Sequence, residues 1–192
     1  MTTVLRLDHV TKAFGPVKVI QDVSVDVIPD RVRVLLGENG AGKSTLIKMM
    51  SGIYHPDSGS VVIDDTPVEL PTVKAAEARG IATIHQELNL VPQMSVAENI
   101  MLGRTPSRGG LVNWGLMRAQ ARAALERIGL DVSPDRLVGS LSTAHQQLVE
   151  IARALSMDAR VLILDEPTAA LTRKESGQLF EVMDDLKTKG VA

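Results

Sequence analysis

The chain contains no cysteine. That excludes a disulfide scaffold and any thiolate metal centre, and it fits a reducing compartment. Aromatic residues are nearly as scarce: Phe14, Tyr54, Trp114 and Phe180 are all there are. Four scattered rings argue against a stacking platform for single-stranded nucleic acid. The formal net charge of −2 gives no electrostatic reason to expect nucleic acid either. No apolar run approaches the roughly 18 residues of a membrane span. Arg6, Asp8 and Lys12 break up the beginning of the chain, so no signal peptide is read there. No His spacing points to a structural metal, and His9, His55 and His85 are assigned no role. What the chain does have is a length of 192 residues and 44% hydrophobic content, enough for one packed core with a small appended lobe.

The densest signal is Gly37-Glu38-Asn39-Gly40-Ala41-Gly42-Lys43-Ser44. It fits G-x-x-x-x-G-K-S/T, the phosphate-binding loop, and its surroundings suit that reading better than a mere Gly-rich turn. The apolar run 32–36 before it reads as a strand, and Thr45 continues into a helix spanning 43–51. Gly37, Gly40 and Gly42 allow a sharp turn whose N–H groups, Glu38, Asn39 and Ala41 included, face phosphate oxygens. The helix adds the positive end of its dipole. Lys43 is placed to reach the β- and γ-phosphates, and Ser44 to ligand Mg²⁺.

A second motif, Val161-Leu162-Ile163-Leu164-Asp165-Glu166, is an apolar strand ending in two carboxylates. By itself this is an ordinary strand end. Downstream of a phosphate loop it predicts a strand beside the loop's own strand, with Asp165 serving Mg²⁺ and Glu166 orienting or deprotonating a water.

Elsewhere the pattern predicts strands at 3–10, 23–27, 60–63 and 81–85, with turns at Phe14-Gly15-Pro16 and Ile28-Pro29-Asp30. Helices are predicted at 72–79, 95–101, 116–128, 143–155 and 173–189. Ser95 and Glu98 have capping-box spacing. In the third of these helices Leu116, Ala119, Ala123 and Ile128 are available for one face, and 103–115 reads as loop. Residues 86–155 are helix-rich and interrupt the strand alternation.

A third motif carries a family resemblance. Leu141-Ser142-Thr143-Ala144-His145-Gln146-Gln147 and the helix after it resemble the LSGGQ signature of ABC ATPases. Thr143 and Ala144 stand for the two Gly and His145 for the Gln, a relaxed form similar to that of bacterial monosaccharide-import ATPases. LLGENGAGKSTLIKMMSGIYHPDSG, GIATIHQELNLVPQMSVAENIMLGR and LDEPTAALT share the likeness, which runs from about Leu5 to Ala192.

The resemblance implies an α/β fold: a P-loop NTPase core of ABC ATPase type, with an antiparallel β subdomain and a helical subdomain inserted at about 86–155. It implies ATP and Mg²⁺ as ligands. Phe14 would stack on adenine, where the residues alone indicate only a loop Phe. Thr45 would join the phosphate loop. Gln86 would contact Mg²⁺ or the water and sense a membrane partner. Ser142 would touch the γ-phosphate of an opposite subunit, although the residues alone make it a helix N-cap. Ala169-Ala170-Leu171-Thr172 falls at the D-loop, with Thr172 where many relatives have Asp.

The implied partners are transmembrane permease subunits, through them a periplasmic sugar-binding protein, and a second ABC nucleotide-binding domain. The implied location is peripheral, on the cytoplasmic face of the inner membrane. The family carries a switch His on the strand after the helix at 173–189, and the last His here is His145. On that ground the chain is read as the N-terminal piece of a longer protein. Two alternatives stand beside the transport motor: an ATP-binding module without useful hydrolysis, and an ABC ATPase acting on DNA or ribosomes. Near-neutral charge argues against the latter.

Overall fold

A computed structural model describes residues 3–38, 40–85, 88–169 and 171–192. In chain order the elements are β1 (Leu5–Phe14), β2 (Val17–Val27), α1 (Lys43–Met50), β3 (Ser58–Ile63), β4 (Thr66–Val68), α2 (Val73–Glu77), β5 (Ile81–Ile84), α3 (Val96–Ile100), β6 (Ser107–Arg108), β7 (Leu111–Val112), α4 (Trp114–Glu126), α5 (Thr143–Leu155), β8 (Val161–Leu164) and α6 (Arg173–Thr188). They fall into two compact units. The first comprises 1–83, 159–165 and 186–192; the second comprises 84–158 and 166–185.

In the first unit β1 is the shared strand of an antiparallel sheet ordered β2-β1-β3-β4. Leu5 and Leu7 pair with Val27 and Val25 on one side and with Ile63 and Val61 on the other. Alternation of side chains puts Leu5 and Leu7 on one face, fully buried, where they meet Leu46, Ile47, Met49 and Met50 of α1 in a single cluster. The β1–β2 hairpin closes at Phe14↔Val17, and Gly15 supplies the positive φ (58°) that a two-residue loop needs at its first central position. Phe14 therefore ends a strand rather than lying in the loop beyond it.

The segment 32–36 departs from expectation. It is no strand, and among the described residues it joins no sheet. Within the run Leu35 packs against the core, while Val32, Arg33, Val34 and Leu36 are exposed, Leu36 by 89%. Apolar alternation specifies which face a segment can bury, but a strand exists only where a neighbour accepts its hydrogen bonds. The expected strand beside it is elsewhere: β8 pairs with β5, and Leu162 N–H and Arg160 C=O bond to Ala192. The core sheet among the described residues is thus β5 and β8.

The second unit is built on capped helices. The Ser95–Glu98 capping box forms as expected, with Glu98 Oε2 accepting from Ser95 N at 2.8 Å. Those bonds hold the Glu98 carboxyl below its ordinary range. Helix α4 buries Met117, Ala121, Ala124 and Leu125, a stripe at i, i+4, i+7 and i+8. Leu116, Ala119 and Ala123, expected on the inner face, are exposed; only Ile128 of that set is buried. The helix starts two residues earlier than the pattern indicated, at Trp114 behind the cap Asn113, and small Ala residues on several faces left its phase open. The stretch read as loop contains the short β6–β7 hairpin.

Asn99 is fully buried in this unit. Its Oδ1 accepts from Val91 N at 2.7 Å, and its Nδ2 donates to Val91 O and Ser95 O at 3.0 Å. One side chain thereby satisfies the turn that leads into α3. Asn99→Ala should cost about 1–3 kcal/mol, because it leaves the half-buried Val91 N–H and C=O without their side-chain partner. Urea denaturation of the two proteins measures it.

Candidate functional site

The phosphate loop ends where Gly42 enters α1 with φ 86°, a left-handed conformation that suits glycine. A Cβ there would collide with the Ile20 side chain of β2. Gly42 gives α1 no side-chain cap. Helices α2, α3, α4 and α5 are each capped by a side chain: Thr72, Ser95, Asn113 and Ser142. The first intrahelical bond of α1 is Leu46 N to Gly42 O. The amides of Lys43, Ser44 and Thr45 lie ahead of it, in the first turn where a helix has no internal acceptors. An uncapped, glycine-entered helix end has the amides and the dipole direction that can take an anion.

Around this end Ala41 N bonds to Glu38 O at 3.1 Å, closing a turn. The Lys43 ammonium donates to Gly37 O at 2.6 Å and to Glu38 O at 2.9 Å, so it is folded over the loop. Gly37, Glu38, Gly40, Ala41 and Ser44 are exposed, and Thr45 is half-buried. Asn39 lies outside the described residues. Phe14, on the same unit, is 42% exposed.

Asp165 follows β8 directly and is half-buried. Glu166, next in sequence, is exposed and has φ 48°, a backbone region that costs a non-glycine residue energy. A serine hydroxyl at the head of α1 and a carboxylate at a strand end are both hard oxygen donors, the chemistry Mg²⁺ takes. Gln86 lies outside the described residues.

Ser142 is the N-cap of α5, its Oγ accepting from His145 N at 3.3 Å. Thr172, at the head of α6, forms a reciprocal box with Glu175: Thr172 N and Oγ1 donate to Glu175 Oε2, and Glu175 N donates to Thr172 Oγ1. The Thr at that position therefore has a local structural use. Among the described residues no cluster of three His, Cys, Asp or Glu side chains is arranged to hold a metal by itself.

The ABC transporter family matches residues 20–169. The chain belongs to that family. It is 66% identical over 98% of its length to a ribose import ATP-binding protein, RbsA, of Corynebacterium glutamicum. It is 53% identical over 95% of its length to the RbsA of Chromobacterium violaceum. The chain spans 36% and 37% of these relatives, about a third of their length. Among solved structures it resembles the ATP-binding cassette MJ1267 of an ABC transporter, at a TM-score of 0.87 and 29% identity, covering 100% of this chain and 80% of that one. The fold is accordingly that of an ABC ATP-binding cassette, with the antiparallel sheet and the α/β class expected of it.

One residue of the signature helix escaped sequence reasoning. Glu150, on α5, is 7% exposed; its Oε1 accepts from Asn89 N at 2.6 Å, and its Oε2 is buried without a partner among the described residues. Its only sequence signal was a charge inside the apolar run Leu148-Val149-Glu150-Ile151. Burial raises its carboxyl pKa above the ordinary 4.5, opposed by the Asn89 bond and by Arg153. A raised carboxyl pKa means that the folded state holds the proton more tightly than the unfolded chain does. The Glu150 contribution is therefore most favourable below the unfolded pKa and is lost as pH rises through the folded value. Glu150→Gln, which stays neutral and keeps the acceptor, should gain stability over the parent as pH rises from about 4 to 8. Paired urea titrations across that range give the difference directly; a constant gap would overturn the assignment.

Proposed function

We propose that this chain binds and hydrolyses ATP as the motor part of an ABC importer for a monosaccharide. The observation that carries the reading is the open N-terminus of α1, entered by Gly42, without a side-chain cap and with Lys43 beside it. Such an end takes an anion with several oxygens, and the family and the ribose-import relatives make a nucleotide triphosphate the fitting one.

The roles follow from the residue chemistry. Backbone amides of Gly37, Glu38, Asn39, Gly40, Ala41, Gly42, Lys43, Ser44 and Thr45 would cradle the phosphates. The Lys43 ammonium would neutralise charge that grows on the phosphoryl oxygens. Ser44, Asp165 and Gln86 would hold Mg²⁺, which supplies further charge neutralisation when bound. Glu166 would accept a proton from the attacking water. Phe14 would stack on adenine, and Ser142 would meet the γ-phosphate bound by a second nucleotide-binding domain. Closure of the two domains on ATP, and reopening after hydrolysis, would drive permease subunits at the cytoplasmic face of the membrane, with a periplasmic sugar-binding protein as the source of substrate.

Lys43→Ala removes a charge-assisted contact and should weaken ATP binding by about 1–3 kcal/mol. Equal affinities by calorimetry would refute the phosphate-loop assignment. Glu166→Gln keeps the shape of the side chain but cannot take a proton. In the assembled transporter ATPase it should preserve ATP binding while turnover falls by about 10²–10⁴-fold. Undiminished phosphate release would move the general base elsewhere.

A further inference from the structure

Two of the four aromatic residues of the chain meet each other. The Phe14 and Tyr54 rings lie edge-to-face, with centroids 5.2 Å apart and planes at 64°. Tyr54 is not an incidental neighbour. Its backbone N–H bonds to Lys48 O at 3.0 Å, on the last turn of α1, the helix that begins at the phosphate loop. Its ring is half-buried against the core cluster of the first unit, and the Lys48 ammonium sits 5.3 Å from the ring centroid. Phe14, by contrast, ends an exposed hairpin at 42% accessibility.

Only a few contacts hold Phe14 from the other side. Asp57 accepts from Ala13 N at 2.8 Å and from the Lys12 ammonium at 2.6 Å, and Asp57 N donates to Thr11 O at 2.8 Å. That clamps the strand up to the residue before Phe14 and brings the Lys12 ammonium 5.9 Å from the Phe14 centroid. It does not fix the ring's own rotation. A Phe ring at a hairpin tip is free to turn about its side-chain bonds unless something meets it. Among the described residues Tyr54 is the ring that meets it.

We propose that Tyr54 is a positioning residue for the nucleobase: it holds the Phe14 ring beside the turn that follows the helix entered from the phosphate loop, so that base platform and phosphate site form one preorganised template. This rests on the reading that Phe14 stacks on adenine. A planar base stacks well only on a ring held in a fixed plane, and ordering that ring before binding removes an entropic cost that ATP would otherwise bear. Phosphates bound without a base gain nothing from it.

The test compares two probes, ATP and inorganic tripolyphosphate, by calorimetry on this chain. Phe14→Ala should weaken ATP and leave tripolyphosphate unchanged. Tyr54→Leu should weaken ATP by about three- to tenfold, the worth of an edge-to-face pair, again with tripolyphosphate unchanged. Tyr54→Phe should restore ATP affinity, and the Phe14→Ala/Tyr54→Leu double variant should lose little beyond Phe14→Ala. If Phe14→Ala weakens ATP and Tyr54→Leu does not, base stacking stands and the role of Tyr54 is wrong. If Phe14→Ala changes nothing, the stacking reading fails and takes the proposal with it. Parallel losses for ATP and tripolyphosphate in Tyr54→Leu make Tyr54 a general structural residue and also overturn the proposal. Should Tyr54→Leu not fold, Tyr54→His, which keeps a smaller planar ring, carries the same comparison, with a partial and base-dependent loss expected.

Discussion

Helix α1 has to be held in place without being satisfied at its start. A helix of 8 residues is too short to persist alone, and it lacks the side-chain cap that stabilises α2, α3, α4 and α5. A cap is worth about 1 kcal/mol, and doing without it is compatible with folding only if burial compensates. Leu46, Ile47, Met49 and Met50 provide that burial against Leu5, Leu7 and Ile20 of the antiparallel sheet. The sheet thus fixes the helix by its sides and its C-terminal turn, and the N-terminal amides are left without acceptors inside the helix.

The same constraint explains the economy of the surrounding loop. Lys43 has no acidic partner among the contacts described; it rests on Gly37 O and Glu38 O, which are neutral carbonyls. A carboxylate in their place would form an ion pair that phosphate would have to break. The second unit shows the opposite policy. There, helix ends are closed by Ser95, Asn113 and Ser142, and the buried Asn99 satisfies the backbone around it. Saturated helix ends resist intrusion, whereas the open end of α1 invites a ligand.

Glu150 is the exception within that second unit. Its carboxylate meets one backbone amide at Asn89 and, among the described residues, leaves Oε2 without a partner in a buried position. Helix packing alone would favour an apolar residue there, as at Val149 and Ile151 beside it. A half-satisfied acid on the helix that follows the signature, tied to the chain three residues beyond Gln86, joins two motifs of the second unit through a single hydrogen bond.

Much of this could be read from residue order. The phosphate loop, the apolar strand ending in Asp165 and Glu166, the Ser95–Glu98 box and the helix Thr143–Leu155 are local patterns, set by neighbours within a few positions, and local patterns survive in a linear sequence. What needed the tertiary structure was whatever depends on a distant partner. The run 32–36 has the apolar composition of a strand but joins no sheet among the described residues, because pairing belongs to two segments and not to one. The inner face of α4 lay one position from the sequence reading because alanines leave the phase of a helix undetermined until a neighbour selects it. The meeting of Phe14 with Tyr54, forty residues apart in sequence, and the burial of Glu150 against Asn89 had no local signature at all. Sequence determined which chemistry the chain carries; only folding decided which of those groups hold one another in position, since contact between remote residues is a property of the packed chain.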